Sequence, residues 1–122
     1  MRVAGFGFRE AATIGSLRDA LAAAGGATGI AALATAEEKV AAESLQTLAA
    51  ELVLPLRGVT PVALAATETL TRSERVASLF GAGSLAEAAA LAVAGPGARL
   101  IGPRSVSRDG MATAAIAEGA ET

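Results

Sequence analysis

The sequence predicts a single α/β domain in which a mixed, mostly parallel sheet is flanked by helices and ends in an antiparallel hairpin. Three observations carry this. Through the first half of the chain, short apolar runs alternate with helix-period segments that open on capping residues. Near the end, Asp109-Gly110 separates two alternating runs, which is a hairpin signal. The 122 residues, 52% of them apolar, suit one core, so the expected domain spans 1–122.

Arg2 to Phe8 (RVAGFGF) reads as an opening buried strand closed by glycines. Ser16, with Asp19 three residues on, predicts a capped helix whose apolar stripe is Leu17, Ala20, Leu21 and Ala24 and whose stop is Gly25-Gly26. Ile30 to Ala34 reads as a second strand. Thr35 and Glu38 match a capping box, and Ala41, Leu45, Leu48 and Leu52 mark the buried face of the helix it would open. Leu54 to Val59 reads as a third strand, whose Pro55 belongs at a strand start or sheet edge.

Thr60-Pro61 predicts a short helix from Thr60 to Thr67, with the proline at its first helical position. Thr71 and Glu74 predict a cap for a helix holding Val76, Leu79 and Phe80 that stops at Gly81, and Ser84 and Glu87 predict one for SLAEAAALAVAG. After the break at Gly95-Pro96-Gly97, LIGPRSVS and MATAAIA predict the two closing strands. Alanine supplies 33 of the 122 residues, which lets helices approach the sheet closely but gives little core volume. A homodimer interface is therefore expected as a further source of stability.

Composition removes several function classes. Ten Lys and Arg against twelve Asp and Glu give a net charge of −2, with no basic arm for nucleic acid or an anionic membrane. The aromatic residues are Phe6, Phe8 and Phe80, too few for the usual single-strand readers. Without Cys or His there is no thiolate nucleophile, no imidazole base and no ordinary transition-metal ligand, so neither a metal nor a cofactor is expected. Met1 to Glu10 lacks the long apolar stretch of a secretory signal, and the uncharged stretch between Asp19 and Glu37 is broken by glycines. A cytoplasmic protein without a membrane span is expected.

In an open α/β sheet, ligands gather beyond the carboxyl ends of the strands. One such end is Gly5-Phe6-Gly7-Phe8-Arg9, where the glycines allow close backbone approach and the guanidinium suits a carboxylate or phosphate. Position 10 is Glu, so the third glycine of a dinucleotide fingerprint is missing, and a strand that turns at glycines is the plain alternative. The second end holds Thr35, Lys39 and Glu43. Lys39 and Glu43 read as an exposed ion pair four residues apart, yet a cation in the first helical turn opposes the dipole, and an anionic ligand there supplies a reason for it. Gly81-Ala82-Gly83-Ser84 before Glu87 is a further anion cradle, for which the capping box is a sufficient structural explanation. Ser73 is discounted in the same way. No serine has the neighbours of an acyl-enzyme nucleophile.

Taken in order, these signals resemble one pattern. Gly5-x-Gly7-Phe8-Arg9, Thr35-x3-Lys39-x3-Glu43, Ser73-x2-Val76, Gly81-x-Gly83-Ser84-x2-Glu87-Ala88-Ala89-Ala90 and Thr113-x-Ala115-x-Ala117 resemble the CobE family of cobalamin biosynthesis, which is similar to the C-terminal domain of CbiG. The likeness covers nearly the whole chain, and it departs where members often carry a lysine near the closing hairpin and this sequence has Arg104. It implies a role in corrin ring synthesis in the oxygen-dependent pathway, binding or carrying a precorrin, a tetrapyrrole with many carboxylate arms. The ligand contacts it implies are Gly5, Gly7, Phe8, Arg9, Thr35, Lys39, Glu43, Ser73, Gly81, Gly83, Ser84, Glu87 and Thr113. A hydrolase that opens a ring lactone, with Glu43 or Glu87 as general base, is the second reading, and a non-catalytic scaffold subunit beside other corrin-pathway enzymes is the third.

Overall fold

The computed structural model describes residues 1–71, 73, 74, 76, 77 and 84–120. Its elements run β1 (Arg2–Phe8), α1 (Ile14–Ala24), β2 (Ile30–Ala36), a 3-10 turn (Glu37–Lys39), α2 (Glu43–Leu52), β3 (Leu56–Val59), α3 (Pro61–Ala65), α4 (Leu85–Ala94), β4 (Arg99–Leu100), β5 (Ser105–Val106) and β6 (Ala112–Glu118). The sheet order is β3-β2-β1-β6-β4, with β5 pairing a different stretch of β6. β1, β2 and β3 are parallel, and β6 runs antiparallel to β1, β4 and β5. The expected mixed α/β sheet with a closing hairpin is what the chain forms.

Alternation along β1 sends Ala4 and Phe6 to one face and Val3 to the other. The first face packs on Leu17, Ala20 and Leu21 of α1 and on Leu45, Leu48 and Ala49 of α2. The second packs on Leu64 of α3 and on Leu85, Ala88 and Ala89 of α4. Each fully buried large side chain, such as Phe6, Leu17 or Leu33, contributes about 1.5–3 kcal/mol. On the α4 side the fit depends on small residues, because a Cβ on Gly5 would lie 2.6 Å from the amide nitrogen of Ala90.

Several local expectations give way to longer-range constraints. α1 is capped by Thr13, whose hydroxyl accepts from the Ser16 amide while Ser16 Oγ accepts from Thr13 N, so Ser16 is the reciprocal partner and Asp19 is not. Asp19 instead accepts from the Arg108 amide in the hairpin turn. Thr35 opens no helix. It lies in β2, fully buried, and its hydroxyl donates to the Phe6 carbonyl at 3.0 Å. Pairing with β3 carries β2 through Ala36, two residues beyond the end of the β1 ladder at Ala34, and α2 starts only at Glu43 with no side-chain cap. Ala41 therefore precedes the helix and is exposed, while Leu45 and Leu48 keep their buried roles.

The other differences are at element ends. β3 begins at Leu56 and occupies a sheet edge, with Pro55 just before it accepting from Leu33 N. Thr60 caps α3 as its spacing requires. The first hairpin strand is split into β4 and β5, with Gly102-Pro103 in the gap. Ser73 Oγ accepts from Val76 N, whereas the expected helix through Leu79 and Phe80 to Gly81 lies largely outside the described residues.

Candidate ligand-binding site

Because β1 and β2 are parallel neighbours, their carboxyl ends share one rim, and the residues that follow, Arg9 and Lys39, emerge there together. The antiparallel register with β6 brings a third segment to the same rim, since Phe8 faces Ala112 and Gly7 faces Thr113. β5 continues it, with Val106 opposite Thr113. Between these strand ends lies a cleft of about 260 Å³, floored by Gly7, Phe8 and Thr113 and walled by Ser73, Val76, Leu85, Val106 and Met111.

Arg9, Lys39 and Arg104 line this cleft, and no carboxylate does among the described residues. The Lys39 ammonium donates to the Phe8 carbonyl at 2.8 Å and stands 4.7 Å from the centre of the Phe8 ring, a cation–π distance. The Arg9 amide donates to the Met111 carbonyl, which ties the end of β1 to the hairpin. Thr113 Oγ1 donates to the Gly7 carbonyl at 3.3 Å, and a Cβ at Gly7 would come within 2.9 Å of that hydroxyl. A larger residue at Gly7 would therefore displace the Thr113 hydroxyl from its bond.

A second, broader hollow of about 760 Å³ lies on the other side of Phe8 and Lys39. Its charges differ, because Glu10, Glu38 and Glu43 join Lys39 around it. Glu43 therefore belongs to this acidic hollow. It is not on the helix face expected from the sequence, since Lys39 ends the 3-10 turn and Glu43 begins α2.

Of the other expected contacts, Gly7, Phe8, Arg9, Lys39, Ser73 and Thr113 line the cleft. Gly5 and Thr35 do not. Gly5 is packed beneath α4, and Thr35 spends its hydroxyl on the Phe6 carbonyl. Ser84 is fully buried with its Oγ accepting from Glu87 N, while its neighbour Leu85 reaches the cleft. Gly81 and Gly83 lie outside the described residues.

Glu87 is fully buried, and its carboxylate does not return to Ser84 as a capping box requires. One oxygen accepts from the Thr71 amide at 2.8 Å, and the other accepts from Thr71 Oγ1 at 3.1 Å and from the Arg104 amide at 2.8 Å. With three donors converging on it, this carboxyl is a structural tie between α4, Thr71 and the hairpin, and Glu87 is not among the residues that line the cleft.

Arg104, which the sequence offers where family members often carry a lysine, also lines the cleft, together with Val106 and Met111, which sequence reasoning missed. Their positions follow from the β5–β6 register, and the Asp109-Gly110 turn was the signal that placed them at this rim. That turn is held by Asp109, which accepts from Ser107 Oγ at 2.6 Å, Ser16 Oγ at 2.5 Å and Met111 N at 3.0 Å. The Ser107 and Ser16 hydroxyls, followed by the Met111 amide, hold its carboxyl below the ordinary value of 3.8. Among the described residues no group of His, Cys, Asp and Glu is arranged to hold a metal, and no helix is long and apolar enough to cross a membrane.

No curated protein matches this chain significantly. Solved structures similar to this chain include the following two. CobE, a protein from the cobalamin (vitamin B12) biosynthetic pathway, is 30% identical with a TM-score of 0.81, over 96% of this chain and 89% of that one. The cobalamin biosynthesis protein chiG from Agrobacterium tumefaciens is 37% identical with a TM-score of 0.74, over 99% of this chain and 100% of that one. The family model described as cobalamin synthesis G C-terminus matches residues 2–117, and with nearly every residue of the sheet and its helices inside that match, the chain belongs to this family of cobalamin biosynthesis proteins.

Proposed function

We propose that this protein binds a precorrin-type tetrapyrrole by its carboxylate arms and carries it between steps of corrin ring synthesis. The observation that supports this reading is the charge of the cleft, where Arg9, Lys39 and Arg104 meet without a lining carboxylate among the described residues, in a chain whose net charge is −2. Guanidinium and ammonium groups recognise carboxylates through charge-assisted hydrogen bonds. Phe8, Val76, Leu85, Val106 and Met111 supply apolar surface for the edge of a ring.

Size sets how much of the ligand enters. A cleft of about 260 Å³ lies below the range of about 300–1,000 Å³ that engulfs a drug-sized molecule, and a tetrapyrrole with its arms is larger still. The ligand is therefore held by one edge and the remainder projects, accessible to an enzyme that takes it over. The carrier reading is favoured over hydrolysis because neither carboxylate considered as a base lines this cleft, Glu87 being tied to three donors inside the fold and Glu43 lining the other hollow.

Gel filtration of the purified protein with a precorrin intermediate tests the reading. Unchanged pigment eluting with the protein is the expected result. A changed absorption spectrum with turnover makes the protein an enzyme instead, and the absence of retained pigment leaves only a scaffold role.

A further inference from the structure

Glu87 faces away from solvent, yet the segments it holds both end at the cleft. Thr71, which gives the carboxylate its amide and hydroxyl, is two residues from Ser73 on the cleft wall. Arg104, which gives its amide, is itself one of the residues lining the cleft. The intervening stretch of the hairpin, residues 101–104, has no ladder pairing of its own between β4 and β5, although Ile101 N donates to the Ile116 carbonyl. The Glu87 carboxylate supplies the anchor at the far end of that stretch.

We propose that Glu87 is a positioning residue that sets the Arg104 guanidinium and the Ser73 wall on the cleft from inside the fold. This rests on the anionic-ligand reading of the cleft and gives the buried carboxylate a role other than proton transfer. The physical basis is an asymmetry in cost. A buried carboxylate satisfied by three donors holds them firmly, whereas an amide in its place turns an N–H toward one of those donors and leaves it without an acceptor. Where the orphaned donor is the Arg104 amide, Arg104 loses its fixed backbone point, and its guanidinium ranges over positions that no longer converge with Arg9 and Lys39; where it is the Thr71 amide, the Ser73 wall loosens instead.

Two readouts test this, one of them independent of ligand. In Glu87→Gln, amide hydrogen exchange at Thr71 or Arg104, whichever faces the new N–H, is expected to accelerate about 10-fold or more, while amides of β1 and β6 stay protected. Uroporphyrin, a stable polycarboxylate tetrapyrrole, serves as the binding probe, and its affinity is expected to fall about 10-fold in Glu87→Gln. In the Arg104→Ala background the same Glu87→Gln change is expected to have little further effect, which general loosening of the domain does not produce. Thr71→Val removes one donor and leaves the carboxylate in place, and it gives a smaller loss of the same kind should Glu87→Gln fail to fold.

Unchanged exchange at both Thr71 and Arg104 in Glu87→Gln, or unchanged uroporphyrin affinity in Thr71→Val if that variant is the one that folds, overturns the proposal while leaving the ligand reading intact. Full additivity with Arg104→Ala overturns it as well. Failure of the wild-type protein to bind uroporphyrin defeats positioning for that ligand together with the anionic-ligand reading, even where the exchange result shows the tie itself.

Discussion

Lys39 Nζ donates to the Phe8 carbonyl at 2.8 Å and lies over the ring of the same residue at 4.7 Å, so one ammonium is fixed to both backbone and side chain at the end of β1. This joins the loop after β2 to the strand beside it. It also places the cation on the partition between the cationic cleft and the acidic hollow.

Replacing Lys39 by Ala is expected to weaken tetrapyrrole retention about 10-fold, as loss of one charge-assisted contact implies. The lost bond to Phe8 should cost about 1 kcal/mol of stability, too little to unfold the domain. Retention by gel filtration and thermal melting of the same sample separate the two effects. Normal retention in a folded Lys39→Ala variant would remove Lys39 from the site.

Gly5 is expected to be intolerant for a reason unrelated to ligand. A Cβ there would overlap the Ala86 carbonyl oxygen and crowd Ala90 N at 2.6 Å, and both are backbone atoms that no rotamer change can move. Gly5→Ala should therefore cost about 3 kcal/mol or more and lower Tm by about 10 °C. Gly102→Ala, where a Cβ meets nothing within 4 Å, should shift Tm by no more than about 2 °C. Equal melting of the two variants would contradict the tight β1–α4 packing.

Acid stability should depend on Asp109. Its carboxyl is held below 3.8 by Ser107, Ser16 and Met111, so its folded pKa is depressed. The contribution is complete above the unfolded value and is lost as pH falls through the lower, folded value. Asp109→Asn should therefore melt below the wild type near neutral pH, and the gap should close in strong acid. A gap that stayed constant with pH would show that the charge of Asp109 contributes nothing.

The sequence made the strand order of the first half legible because apolar runs and glycine stops are local signals. β1 runs from Arg2 to Phe8 as its pattern implied, and Arg9 and Lys39 share a rim because parallel strands put their carboxyl ends together. Thr35 shows where local pattern fails. Thr-x-x-Glu matches a helix start, but Thr35 gains more from pairing with Gly58 of β3 and from its bond to the Phe6 carbonyl of β1. Glu87 fails in the same way, since its partners Thr71 and Arg104 are 16 and 17 residues distant and only the folded hairpin brings them together. Gly5 carried a signal for close backbone approach, and its partner proved to be α4.

An anionic tetrapyrrole is proposed to enter at the rim lined by Arg9, Lys39 and Arg104. Amide chemical-shift mapping by NMR during titration with a precorrin-type pigment locates its contacts. Saturable shifts are expected at Gly7, Arg9, Arg104 and Met111, with Ala42 and Ser44 of the acidic hollow little changed. Shifts centred on Ala42 and Ser44, or none at saturating pigment, would contradict this placement.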